Sequence, residues 1–172
     1  MDVATRVGRR LRELREAQAM SLSELARRSK IGKGTLSELE SGRRNPTLET
    51  LYALTTALKV PLSTALHNLA IPAEVSGHAV DAVLTERFET AAAVTETYRA
   101  RIRAGTTQES AAHAPGTTEH IIVLAGTARV GDISAPALIG PGGHGSWAAD
   151  VPHLYQAPSA DVEALLIVRY LQ

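Results

Sequence analysis

A two-module α + β chain, five short helices followed by an all-β half, is the fold class this sequence predicts. Three observations predict it. Charge changes sign along the chain: residues 1–70 hold 12 Lys+Arg against 7 Asp+Glu, a net +5, and residues 71–172 hold 6 against 11, a net −5. Five of the six aromatic residues (Phe88, Tyr98, Trp147, Tyr155 and Tyr170) lie in the second half. The apolar period changes at the same place, from helical spacing to short β-prone runs. The modules are therefore a basic helical one over residues 1–70, a linker over 71–78 and a β module over 79–172.

The helical elements read in order. Val3, Val7, Leu11 and Leu14 form one apolar stripe, with Arg6, Arg9, Arg10 and Arg12 around the rest of the first helix. Ser21-Leu22-Ser23-Glu24 predicts a capping box, the serine oxygen on an early amide and the glutamate reaching back, with Met20 and Leu25 as a hydrophobic staple. Ile31 and Leu36 repeat that staple around Gly32, so a third helix starts near Lys33 and ends at Gly42. Asn45-Pro46-Thr47 is a turn and a new N-cap, and Leu48, Leu51, Leu54 and Leu58 are the next stripe. A fifth helix is expected from Ser63 to about Leu69.

In the second module, β-prone runs cover Ala79–Phe88, Ala93–Arg103, Glu109–His113, Glu119–Leu124, Ala128–Val130, Ala137–Ile139, His153–Gln156 and Val162–Tyr170. Turn signals such as Pro115-Gly116, Gly131-Asp132 and Pro141-Gly142-Gly143 separate them. Short strands punctuated this often predict a sandwich or a barrel.

Composition narrows the function. With 44% apolar and 21% charged residues the chain can bury a core, which excludes disorder. The absence of cysteine removes disulfides, thiolate zinc sites and a cysteine nucleophile. No apolar run reaches the ~18 residues of a membrane helix, and the first residues lack the apolar core of a signal peptide. A cytoplasmic protein without a membrane partner is expected. Nucleophile-elbow, phosphate-loop and metalloprotease-helix patterns do not occur.

Only Ser29-Lys30-Ile31 separates the second and third helices, a spacing that can set the third helix in a major groove. On that helix Leu36 and Leu39 share one side, while Lys33, Gly34, Ser37, Glu38 and Ser41 fan across the other. Ser21 to Pro46, with Leu25-Ala26, Ile31, Leu36, Leu39, Glu40, Gly42 and Asn45-Pro46 as matching points, resembles the helix-turn-helix of the phage repressor and Cro-like family. The resemblance extends over roughly residues 5–66. It implies a five-helix domain in which Lys33, Gly34, Ser37 and Glu38 face base edges, while Ser21, Thr35, Ser41, Arg43 and Arg44 lie near phosphates. It also implies a structural salt bridge between Arg15 and Glu40. Lys30 stands where the family usually has glycine, so a left-handed residue there costs ~1–2 kcal/mol. Leu22 replaces a polar residue, and Gly34 has no side chain with which to read a base.

His113, Glu119 and Gly126, followed by Gly140-Pro141-Gly142-Gly143 and His153, resemble the two motifs of a cupin, a double-stranded β-helix or jelly-roll barrel. That resemblance covers roughly residues 79–171. The ligand positions fall on His113, Pro115, Glu119 and His153, and Pro115 offers no donor. Two histidines and a carboxylate can hold Zn, Fe, Mn or Ni with open positions. The same three residues can instead form a metal-free hydrogen-bonding pocket, with no cofactor. Tyr98, Trp147 and Tyr155 are candidates for the barrel mouth or for ordinary core. Alternation along the strand turns His120 away from Glu119.

Together the resemblances imply a sequence-specific, DNA-binding transcriptional regulator, a repressor, that binds duplex DNA at two half-sites as a homodimer. Its cupin domain would take up a small-molecule effector and contribute to the dimer. A cupin metalloenzyme, an oxygenase or isomerase with an accessory helical domain, is the rival reading. A constitutive DNA-binding protein with a purely structural barrel is the third.

Overall fold

The structure, a computed structural model, describes residues 3–66 and 73–172. The chain divides into two compact units, Met1–Ala70 and Ile71–Gln172.

The first unit holds α1 (Val3–Ala17), α2 (Leu22–Ser29), α3 (Lys33–Glu40), α4 (Leu48–Ala57) and α5 (Leu62–Ala65). The fifth helix expected to reach Leu69 is seen to Ala65, and residues 67–70 lie outside the described residues. Val7, Leu11, Leu25, Leu36, Leu39, Leu51, Leu54, Leu58 and Leu62 meet in one core with 0–2% exposure. Each side chain of this kind removed from water is worth ~1.5–3 kcal/mol, which offsets the entropy of ordering such short helices. Arg10 Nε donates to the Thr64 carbonyl at 3.2 Å, tying α1 to α5.

The caps decide where these helices begin and end. Ser21 Oγ accepts from the Glu24 amide at 3.1 Å, and Thr47 Oγ1 from the Thr50 amide at 3.3 Å. The second half of the expected capping box is not formed. The Glu24 carboxylate instead takes Arg27 and Arg28 at 2.6–3.0 Å, because two guanidinium groups one turn on outcompete a single neutral amide. Those hydrogen bonds, Arg27 first and then Arg28, lower the Glu24 pKa to about 2. Lys30 adopts the left-handed conformation that closes the turn, φ 58° and ψ 24°, with its side chain in solvent. The Ile31 amide then reaches back to the Ala26 carbonyl at 3.1 Å, so a hydrogen bond offsets part of the strain.

The second unit is all β: β1 (Ala73–Ser76), β2 (Val80–Glu89), β3 (Ala93–Ile102), β4 (Thr107–Ser110), β5 (Thr118–Ala125), β6 (Ala128–Asp132), β7 (Ala137–Ile139), β8 (His144–Ala148), β9 (His153–Gln156) and β10 (Val162–Leu171). They form a six-stranded sheet, β1-β2-β3-β10-β5-β8, and a four-stranded sheet, β4-β9-β6-β7, and the pairs of named strands are antiparallel. Inward residues alternate with outward ones, most regularly along β10, where Val162, Ala164, Leu166, Val168 and Tyr170 are buried.

Three differences from the sequence reading go beyond a residue or two at a strand end. Residues 73–76, assigned to the linker, are strand β1, paired with β2 from Ala73↔Leu84 to Ser76↔Asp81. Its four residues after Pro72 make an edge strand too short to show a period. β8 lies where the sequence reading places no strand, directly after the Pro141-Gly142-Gly143 turn. Gly145 within it is a packing glycine, since a Cβ there would lie 2.5 Å from Ile139 Cδ1. Finally, β4 ends at Ser110, leaving His113 in the following loop rather than on a strand.

A candidate DNA-reading face and a buried histidine–carboxylate cluster

On α3, Leu36 and Leu39 are buried at 0% and 1%, which leaves the other side outward. Lys33, Gly34 and Glu38 are exposed and Ser37 and Thr35 half-buried, so the predicted base-facing residues share one face. Among the described residues, nothing stands within 4 Å of where a Gly34 Cβ would be. Of the predicted phosphate group, Ser21, Ser41, Arg43 and Arg44 are all exposed. Ser41 Oγ donates to the Glu38 carbonyl at 3.0 Å and accepts from Arg43 Nε at 3.0 Å. Arg44 lies 3.6 Å from the Glu38 carboxylate, an exposed pair that pulls one guanidinium toward the predicted reading helix.

Arg15 and Glu40 stand behind this face. Arg15 Nε and Nη2 each donate to one Glu40 oxygen at 2.7 Å, while Nη1 donates to the Met20 carbonyl at 2.9 Å. One guanidinium thereby joins the end of α1, the residue before the α2 cap and the last residue of α3. The side chains are only 11% and 7% exposed, so the two-pronged geometry is what supports their burial.

In the β unit, one strand from each sheet and the loop before β5 bring His113, Glu119 and His153 together. His113 lies in the β4–β5 loop, whose ends are held by Ala149: its carbonyl accepts from the His113 amide at 2.8 Å, and its amide donates to Thr117 at 2.9 Å. Glu119 is on β5 and His153 opens β9, both fully buried. His113 Nε2 is 3.0 Å from Glu119 Oε1 and His153 Nε2 is 3.5 Å from Oε2, and the three ligand atoms lie within 4.8 Å of one another. Pro115 is exposed and contributes nothing. His120 and His144 are exposed as well.

Aromatic rings surround the cluster. Tyr155, two residues after His153, donates its hydroxyl to Glu119 Oε2. Trp147, directly opposite Glu119 in the β5–β8 ladder, lies 6.0 Å from the Tyr155 ring and 6.4 Å from that of His153. Its indole N–H is buried without a hydrogen-bond partner among the described residues. Burial pushes the Glu119 carboxyl up, but hydrogen bonding from His113, the charges of both histidines and the Tyr155 hydroxyl outweigh it, and the net shift is downward. Burial is the main cause that lowers the His153 pKa, favouring its neutral form.

That neutral form bears on metal binding. His153 Nδ1 is 2.9 Å from the Val151 carbonyl, which can only accept, so the ring proton sits on Nδ1. The Nε2 lone pair then faces a carboxylate oxygen with no hydrogen-bond partner. Two acceptors 3.5 Å apart repel unless a proton or a metal cation lies between them. Donors held ~2.1 Å from a common ion sit at most ~4.2 Å apart, so ligand atoms already within 4.8 Å of one another need only small side-chain shifts to share one. A histidine ligand whose other nitrogen is tied to a backbone carbonyl is also the usual outer-shell arrangement. The donor set fits a metal.

Sequence reasoning missed Glu96. It is fully buried on β3, in one inward row with Val168, Glu119 and Trp147, and Tyr98 donates its hydroxyl to it. Its alternation with Val94, Tyr98 and Ala100 is the signal that would have found it.

A helical unit with an outward third helix is followed by a double-sheet barrel, and comparison with known proteins bears on both. Residues 11–64 match the helix-turn-helix family model, which makes the first unit a helix-turn-helix domain. Over 149 residues the chain is 29% identical to the HTH-type transcriptional regulator SutR of Escherichia coli K12, covering 85% of this chain and 84% of that one. It is 43% identical over 60 residues to the transcriptional regulator ClgR of Mycobacterium tuberculosis, covering 35% of this chain and 54% of that one. An HTH_3 family transcriptional regulator from Vibrio cholerae superposes with a TM-score of 0.88 at 24% identity, covering 99% of this chain and 98% of that one, and so shares its fold.

Proposed function

We propose that the chain is a cytoplasmic, ligand-responsive repressor that binds two DNA half-sites as a homodimer and senses a small molecule inside the barrel. One reading helix covers only a few base pairs, and two half-sites about 34 Å apart give a dimer enough sequence to find. Base edges are read by Lys33, Ser37 and Glu38 around Gly34, while Ser21, Thr35, Ser41, Arg43 and Arg44 hold phosphates. A single observation carries the sensing role: the barrel interior gathers His113, Glu119 and His153 beside a buried Trp147 N–H that lacks an acceptor among the described residues. A divalent metal held by those three residues would supply a Lewis acid with open positions for an effector oxygen. Trp147 N–H would donate to that same oxygen and so fix its orientation. Catalytic turnover is not part of this reading. The two-histidine, one-carboxylate set is what favours the rival, a metalloenzyme.

Operator retention on a column of bound DNA, eluted with a panel of small acids, amines and phenols, tests the proposal. An effector should release the wild-type protein and raise its melting temperature. His153→Ala should bind the operator as wild type does but fail to respond. Substrate-dependent oxygen uptake by iron-loaded protein would instead establish the enzyme.

A further inference from the structure

His113, Glu119 and His153 supply three donors, and the barrel contains a group placed to add a fourth. His153 and Tyr155 alternate on β9, so their side chains leave the same face of the strand. Their ring centroids are 5.6 Å apart, and Tyr155 is only 5% exposed. The Tyr155 hydroxyl and His153 Nε2 converge on the same carboxylate oxygen, Glu119 Oε2, the first by a hydrogen bond and the second at 3.5 Å. A cation set against that oxygen meets both at once, while His113 Nε2 approaches from the Oε1 side at 3.0 Å.

We propose that the Tyr155 phenol oxygen is the fourth protein ligand of this site, giving a two-nitrogen, two-oxygen donor set completed from β9. This rests on the metal-binding reading above. Ligation replaces the proton that Tyr155 now donates to Glu119, and that proton leaves to the buffer as the metal enters. The second oxygen donor shifts preference toward harder ions, ferric iron in particular, because a phenolate is a harder ligand than imidazole. Tyr98 provides an internal comparison: its hydroxyl lies in the same barrel but is committed to Glu96.

The test uses the full-length chain, freed of metal by chelation and then titrated with zinc and separately with ferric nitrilotriacetate. A phenolate on ferric iron gives a visible charge-transfer band that histidine and carboxylate ligands do not. Wild type and Tyr98→Phe should each take up one ferric ion and turn coloured. Tyr155→Phe should lose the band and bind zinc at least tenfold more weakly. Tyr155→His should recover zinc affinity without the band, which separates lost ligation from misfolding. Ferric uptake by wild type without a visible band, or a band that survives in Tyr155→Phe, overturns the assignment of Tyr155. Failure of wild type to bind either metal overturns the metal site itself, and the proposal with it.

Discussion

Gly8 shows how much one residue decides in the helical unit. It sits in the middle of α1, where glycine costs about 1 kcal/mol relative to alanine, so local propensity argues against it. The reason for it is across the helix interface. A Cβ at Gly8 would lie 2.0 Å from the Leu39 carbonyl oxygen and 3.2 Å from the Gly42 amide nitrogen, so the backbones of α1 and the end of α3 touch there. Leu39 O is itself an acceptor for the Gly42 amide at 3.0 Å, and Gly42 has φ +73°. Gly8→Ala therefore moves backbone rather than a side-chain tip. Overpacking of this sort costs typically 1–3 kcal/mol, and this case should reach about 3 kcal/mol. Urea unfolding followed by helix signal measures it; a loss under about 0.5 kcal/mol would mean that α1 and α3 are not in backbone contact. Sequence patterning does not reveal this role, because a glycine that packs and a glycine that turns are written with the same letter.

At the scale of elements, the helical unit was more legible than the barrel. The stripes of α1 and α4, the serine and threonine caps and the stop at Gly42 depend on neighbours within one turn, and they stand where the sequence places them. Strands β1 and β8 owe their pairing to distant partners, Leu84 through Asp81 for one and Thr118 through Ile122 for the other, and no local window contains those. The cluster divides the same way. His113, Glu119 and His153 could be singled out by motif spacing, whereas the closing of Tyr155 on Glu119 requires two strands to be brought together. Arg15–Glu40 is the element-scale prediction. Removing either partner strands a nearly buried charge, at a cost of about 3–5 kcal/mol, toward the lower figure since each side chain keeps slight exposure. Arg15→Met loses in addition the bond to the Met20 carbonyl, so it should be the worse single variant. The double variant Arg15→Met, Glu40→Leu should recover much of the loss. A double-mutant cycle with coupling near zero would show that the pair does not hold α1 and α3 together.

The whole chain is neutral only as a sum: its +5 half is the DNA-binding unit and its −5 half the barrel. The division is useful on a polyanion, since the acidic half is repelled and the basic half engages. Within the basic half, the charges have different tasks. Arg43 and Arg44, past the end of α3, are suited to phosphates, which carry no sequence information. Lys33 opens the outward face of α3, where base edges would lie. Each phosphate neutralised contributes ~0.9 to the slope of log K against log salt, so Arg43→Ala with Arg44→Ala should flatten the slope by ~1.8 and weaken every sequence alike. Lys33→Ala should keep most of the slope and change which operator is preferred, with discrimination reduced by ~1–3 kcal/mol at one base pair. Glu38 modifies both results, because it holds Arg44 at 3.6 Å and its own charge repels the backbone. Glu38→Ala should therefore raise affinity for random duplex while lowering the ratio of operator to random binding. Binding isotherms at several salt concentrations on selected and random duplexes measure all of these. Were the Arg43/Arg44 and Lys33 variants to change affinity by equal factors on every duplex, α3 would be gripping the backbone, and base reading would have to be assigned elsewhere in the helical unit.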